Sequence, residues 1–275
     1  MPTPTRPSSG FPGYWKTKKT SDKFQYVQDF DGLVIAFAQD EKIKGNGVAN
    51  EGLASTRLGL KGIPTLAEEL HIARNLFLLE YTGGKLHIPT ISTQKSVVLI
   101  KEAKAKGLQV SCSVSVHHLV LNEDQLDGFD TRYKVTPPLR SESDRKALLE
   151  GILDGTIDMI TTDHNPIDIE HKKMEFDGAK NGTIGLESAF GALSCVLPTA
   201  VIIEKLTAGK TTFGIPSHSI NEGEPANLTL FTTDGESIFT KETILSKSKN
   251  SAFLGQKLQG KVYGCINQNQ MILNQ

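Results

Sequence analysis

No run of apolar residues in this chain reaches the roughly 20 that a bilayer-crossing helix needs. The first residues, MPTPTRPSSGFPGYW, lack the apolar segment of a secretory signal. These absences predict a cytoplasmic protein with no membrane partner. An excess of either charge is also missing. With 30 basic against 31 acidic residues the net charge is -1, which removes the long-range attraction that nucleic acid or an anionic surface would need. Cysteine is scarce. Cys112, Cys195 and Cys265 are odd in number, far apart and without a Cys-x-x-Cys pair, so a disulfide framework and a zinc knuckle are excluded and reduced, mostly buried thiols are expected.

What is present suits a globular domain: 38% hydrophobic and 22% charged residues over 275 positions. Residues 1–22, rich in Pro, Ser, Thr and Lys, read as a flexible arm whose one distinctive feature is the aromatic cluster Phe11-Pro12-Gly13-Tyr14-Trp15. From Leu33 strand and helix signals alternate. LVIAFA (Leu33 to Ala38), LHIPTI (Leu86 to Ile91) and QVSCSV (Gln109 to Val114) are apolar runs of strand length. Between them lie a helix from about Pro64 to Tyr81, stopped by Gly83-Gly84, and a helix capped at Ser92-Thr93 and ended by Gly107. A further helix from Glu142 to Leu153, capped by Ser141, leads into IDMITTDHNP, Ile157 to Pro166. There a short buried strand ends in Asp163-His164, the position where a parallel α/β sheet carries its chemistry.

The rhythm implies parallel strands with right-handed crossovers. GLESAFGALSCVLPTAVIIEKLTAGK reads as one or two apolar helices closing this block. Beyond Glu224 the pattern becomes short, alternating and Gly-punctuated, which predicts a small antiparallel β unit. The expected division is an arm at 1–22, an α/β block at 23–217 and a β unit at 218–275.

Several blocks carry a resemblance in collinear order: GVANEGLASTRLGLKGIPTLAEELHIARNL, TGGKLHIPTIST, VSVHHLVL, TPPLRSESDRKALLEGILDGTIDMITTDHNP, FDGAKNGTIGLESAF and SKSKNSAFLGQKLQGKVYG. The chain resembles the dihydroorotases, members of the amidohydrolase superfamily. The resemblance implies the C-terminal half of a (β/α)8 TIM-type barrel, strands 5 to 8, plus a small β-sandwich unit. It also implies an ancestry in which a metal centre opens and closes the dihydroorotate ring in pyrimidine biosynthesis. The family's His-x-His pair, fourth-strand acid and neighbouring substrate Arg have no counterpart here. Asp29 and Asp31 do not replace the acid, because they precede LVIAFA and lie at the wrong end of the barrel.

Position by position, Phe37 stands where the family's fifth-strand histidine ligand belongs, and Thr90 where the sixth-strand histidine belongs. Thr136 replaces a substrate-contacting Asn, and Ile167 a histidine that contacts the substrate carboxylate. Asp163 alone keeps its type, as the remnant of both the eighth-strand metal ligand and the general base. A hydrolytic zinc needs about three N, O or S ligands, so no cofactor is expected, with zinc returning only if a complete site is assembled from elsewhere. The remaining histidines read as structural: His117-His118 are expected to point opposite ways on an extended segment, His87 to face away from Thr90 on one strand, and His71 and His171 to be surface or satisfied groups. Asp163 is expected to be tied by hydrogen bonds to nearby loops.

Two functions follow. One is a catalytically degenerate dihydroorotase-like scaffold or regulatory homologue, with a homo-oligomer or aspartate transcarbamoylase as the implied partner. The other is a zinc-dependent dihydroorotase of which this chain is a fragment.

Overall fold

A computed structural model describes residues 17–216, 220–267 and 270–274. The Phe11 to Trp15 cluster and the expected boundary near residue 218 lie outside the described residues. The elements are α1 (Thr17–Gln28), β1 (Leu33–Ile35), α2 (Glu41–Lys44), β2 (Ala49–Asn50), α3 (Leu53–Leu58), β3 (Gly62–Ile63), α4 (Leu66–Thr82), β4 (Lys85–Ile88), α5 (Gln94–Ala105) and β5 (Val110–Ser115). They continue with α6 (Val116–Val120), α7 (Glu142–Leu153), β6 (Met159–Thr161), α8 (Ala189–Ser194), α9 (Thr199–Thr207), α10 (Gly209–Thr212), β7 (Asn227–Ile238), β8 (Lys257–Asn267) and β9 (Gln270–Leu273).

Four strands form a parallel sheet in the order β1-β4-β5-β6. Leu86, Ile88, Ile100, Val114, Leu148 and Ile152 are buried in one apolar cluster shared by the strands and by helices α5 and α7. Caps place the helices where the sequence puts them. Thr93 Oγ1 accepts from Ser96 N at the start of α5, and Ser141 Oγ accepts from Asp144 N at the start of α7. Gly83, with φ 75°, ends α4.

Two boundaries differ from expectation. Residues 17–22 belong to α1 and not to an arm, because Phe24, fully buried in the main core, anchors a helix whose first turns are otherwise polar. The C-terminal unit is a single three-stranded antiparallel sheet, β7-β8-β9. Its first two strands run 12 and 11 residues, longer than the short strands expected. Register irregularities between Leu230 and Phe231 and between Thr232 and Glu236 break their alternation. The thiols also differ: Cys112 is buried, but Cys195 and Cys265 are exposed on α8's end and β8.

The C-terminal side of the sheet is held by one buried cation. Arg140 is 3% exposed. Its Nη1 donates to Asn50 Oδ1 at 2.8 Å and to the Ile63 carbonyl at 2.9 Å, and its Nε donates to Ser92 Oγ at 3.0 Å. Glu68, equally buried, lies 3.8 Å from Arg140 Nη2 and accepts from Ser92 N, Ser92 Oγ, Thr93 N and Ser96 Oγ. Glu123 accepts from Asn50 Nδ2 at 2.6 Å, and a Cβ at Gly52 would come within 2.7 Å of that carboxylate, so only glycine fits there. Removing one partner of a buried pair strands the other charge, so Arg140→Met is expected to cost about 3–5 kcal/mol in urea unfolding. Arg140→Met with Glu68→Gln should recover part of that loss. A single-variant loss no larger than that of an exposed pair such as Arg57–Asp127 would show that the network carries little stability.

Candidate functional site

All four parallel strands end on the same side, and register decides which side chains meet there. Ser115 on β5 pairs with Thr161 on β6. His117 and Asp163, each two residues further on, leave the sheet side by side, with His117 Nε2 3.9 Å from Asp163 Oδ2. That is too long for a hydrogen bond, and His117 Nε2 is buried with no hydrogen-bond partner among the described residues. Burial raises the Asp163 pKa above the usual carboxylate value. Burial, with His118 beside it, lowers that of His117 well below the ordinary imidazole value. The arrangement is a half-buried carboxylate facing a neutral imidazole.

The backbone is bent where the strands stop. Thr90, two residues past the end of β4, has φ 50°, and Asp163 has φ 44°. Both lie in the left-handed region that non-glycine residues enter at a cost. Phe37, two residues past Ile35 at the end of β1, is partly exposed at the same end of the sheet. Asp40 caps α2, its Oδ1 accepting from Lys42 N and Ile43 N. Thr136 Oγ1 accepts from Asn181 Nδ2 at 2.7 Å, and Ile167 lies against Gly182.

Several expectations need correction. Asp163's carboxylate accepts no hydrogen bond among the described residues; its neighbour His164 ties the loop, its Nδ1 accepting from Gly185 N at 3.3 Å and Leu186 N at 3.2 Å. Gly185 allows this closeness, since a Cβ there would sit 2.4 Å from the Thr162 carbonyl. His117 and His118 are on the helical turn α6, not an extended segment, with ring centroids 4.6 Å apart. They diverge in partner all the same: His118 bonds Ser115 Oγ and the Pro138 carbonyl, while His117 faces Asp163. β4 ends at Ile88, so strand alternation does not reach Thr90. His87 is turned away by its own contacts, a bond to Ser111 Oγ and an edge-on contact with Phe213. At the opposite end of the sheet, Asp31 pairs with Lys85, well away from the site. His71 bonds Arg74 and Asn75, and His171 sits in a short 3-10 turn.

A dihydro-orotase-like family model matches residues 16–96. The chain is 40% identical over 243 residues to a dihydroorotase of Geotalea daltonii, and that match takes in 86% of this chain and 57% of the relative. It is 39% identical over 249 residues to a dihydroorotase of Pelotomaculum thermopropionicum, covering 88% of this chain and 58% of that one. Over 86% of its length the chain is similar to the dihydroorotases. Its fold is that of the hydantoinases. An L-hydantoinase (dihydropyrimidinase) from Arthrobacter aurescens superposes with TM-score 0.84 at 21% identity over 96% of this chain and 62% of that one. A dihydropyrimidinase from Brevibacillus agri superposes with TM-score 0.81 at 19% identity. The chain spans a little over half the length of the curated relatives it matches. No helix among the described residues is long and apolar enough to cross a membrane.

Among the described residues, no three His, Cys, Asp or Glu side chains group closely enough to hold a metal ion. The family's zinc centre does not fit the residues present: Asp163 and His117 supply two donors, while Phe37 and Thr90 supply no imidazole. His117 is the site residue that sequence reasoning missed. Its signal, an equal offset past two register-paired residues, needs the register to be read.

Buried histidines make the fold sensitive to acid. His118 and His71 are each lowered from 6.5 to about 4, both chiefly by burial. The unfolded chain therefore binds more protons than the folded one between about pH 6.5 and 4, and stability falls as pH drops through that window. For fully buried His118 the slope approaches about 1.4 kcal/mol per pH unit. Urea midpoints should fall from pH 7 to pH 5, and His118→Gln should flatten the decline. A flat profile in the unmutated chain would contradict this.

Proposed function

We propose that this chain is a catalytically degenerate dihydroorotase-like protein, a non-catalytic scaffold or regulatory homologue. The observation that carries the reading is Thr90. A β-branched residue is held at φ 50° where the family resemblance implies a histidine ligand, and histidine enters the left-handed region more readily than threonine. The backbone keeps a shape suited to a residue it no longer carries. With Phe37 and Ile167 at the other family positions, Asp163 as base would meet unactivated water, no Lewis acid on the amide carbonyl and no cation for a substrate carboxylate.

Scaffolding also suits the open sheet. β1 and β6 are unpaired edges among the described residues, and Ile35 on β1 is 58% exposed. Edges of this kind are normally covered. The partner we propose is a second copy or aspartate transcarbamoylase, which the family resemblance implies. The chain's coverage of 57% of a curated relative favours a second reading, a dihydroorotase whose remaining half comes from elsewhere. The substitutions at Phe37, Thr90 and Ile167 weigh against it, because no added half alters them.

The test is metal content with turnover. Protein purified without chelator should carry less than one zinc per chain and should not convert carbamoyl aspartate to dihydroorotate. Stoichiometric zinc with turnover would overturn the reading. Thr90→His alone should raise stability by on the order of 1 kcal/mol through relief of backbone strain. The triple variant Phe37→His, Thr90→His, Ile167→His should remain inactive. Activity in the triple variant would show that the barrel positions are wrongly assigned.

A further inference from the structure

Helix α4 carries an apolar face that nothing in the described residues covers. Leu66, Leu70, Phe77 and Tyr81 recur at helical spacing and are 50%, 50%, 70% and 82% exposed. Beside them lies a groove of about 490 Å³ lined by Asp40, Leu70, His71, Arg74, Phe77 and Tyr81. Arg74 Nη2 bonds His71 and Asn75, but its Nε is buried with no hydrogen-bond partner among the described residues. The groove is thus apolar with one unmet donor.

The path of the chain points to an occupant. Helices α1 and α4 lead into the N-terminal ends of the neighbouring parallel strands β1 and β4, so they run in the same direction. Their last residues are joined by the bond from Gln28 Nε2 to the Thr82 carbonyl at 2.6 Å. Counting eleven residues back along each helix from this bond reaches Thr17 on α1 and His71 on α4. The segment preceding Thr17 therefore departs beside the groove. It contains Phe11, Tyr14 and Trp15, two to six residues away, a reach of at most about 7–20 Å.

We propose that residues 11–15, Phe-Pro-Gly-Tyr-Trp, dock in this groove and cover the outward face of α4. Aromatic rings match the walls formed by Leu70, Phe77 and Tyr81. Tethering favours this occupant over a second copy, because a short linker holds the segment at millimolar effective concentration. The inference is independent of whether the strand-end site is active. It leaves the sheet edges, not α4, as the surface open to a partner.

Trp15 is the chain's one tryptophan, so its fluorescence reports the contact directly. In the full chain its emission should be blue-shifted from that of a synthetic peptide of residues 9–18, with acrylamide quenching several-fold weaker. Phe77→Glu and Tyr81→Glu, both at exposed positions, should each return these values to those of the peptide without loss of helical circular dichroism. Leu70→Ser provides a milder third variant should a glutamate disturb folding. Peptide-like emission in the unmutated chain would overturn the proposal. So would a blue shift unmoved by the three variants, or one that grows with protein concentration, which would assign the groove to a second copy.

Discussion

A guanidinium can be buried only if its donors are met by geometry that the rest of the fold must supply. Arg140 is buried in this way, and its partners come from four separate segments: Asn50 on β2, Ile63 on β3, Ser92 before α5 and Glu68 on α4. Burial lowers its pKa, and Glu68 acts in the opposite direction. The network ties together the loops on the C-terminal side of the sheet through protein groups on β2, β3, α4 and the start of α5.

The strand-end site is shaped by the same principle at smaller scale. Backbone turns at Thr90 and Asp163 are held in the left-handed region, and the loop behind Asp163 is pinned by two backbone N–H groups on His164. Asp163 and His117 stand 3.9 Å apart, and among the described residues no third His, Cys, Asp or Glu joins them. What stands at the C-terminal end of the sheet is a half-buried carboxylate beside a buried imidazole.

That openness bears on function. Parallel strands with both edges unpaired among the described residues, and an exposed Ile35 on one of them, bring with them a demand for cover. The solved hydantoinases, of which this chain matches about three-fifths, show the same elements within a longer chain. The proposed scaffold role uses the exposed edges as the binding surface and asks nothing of Asp163 and His117.

The sequence by itself determined the long elements. Apolar runs of strand length and helices with readable starts at Thr93 and Ser141 and a readable stop at Gly83 give their type and approximate place, because each spans several periods of its pattern and carries its own cap. Through the resemblance it also set the expectation of which ligand types are absent. Tertiary structure decided what short or unpatterned segments do. Residues 41–63 form α2, β2, α3 and β3, each too brief for a periodic signal. Residues 17–22 are helical because Phe24, two positions further on, packs into a core built from residues distant in sequence, and β7 and β8 are long despite broken alternation. Above all, the meeting of His117 with Asp163 depends on the pairing of Ser115 with Thr161. A contact between residues 46 positions apart is set by strand register, which no local pattern encodes.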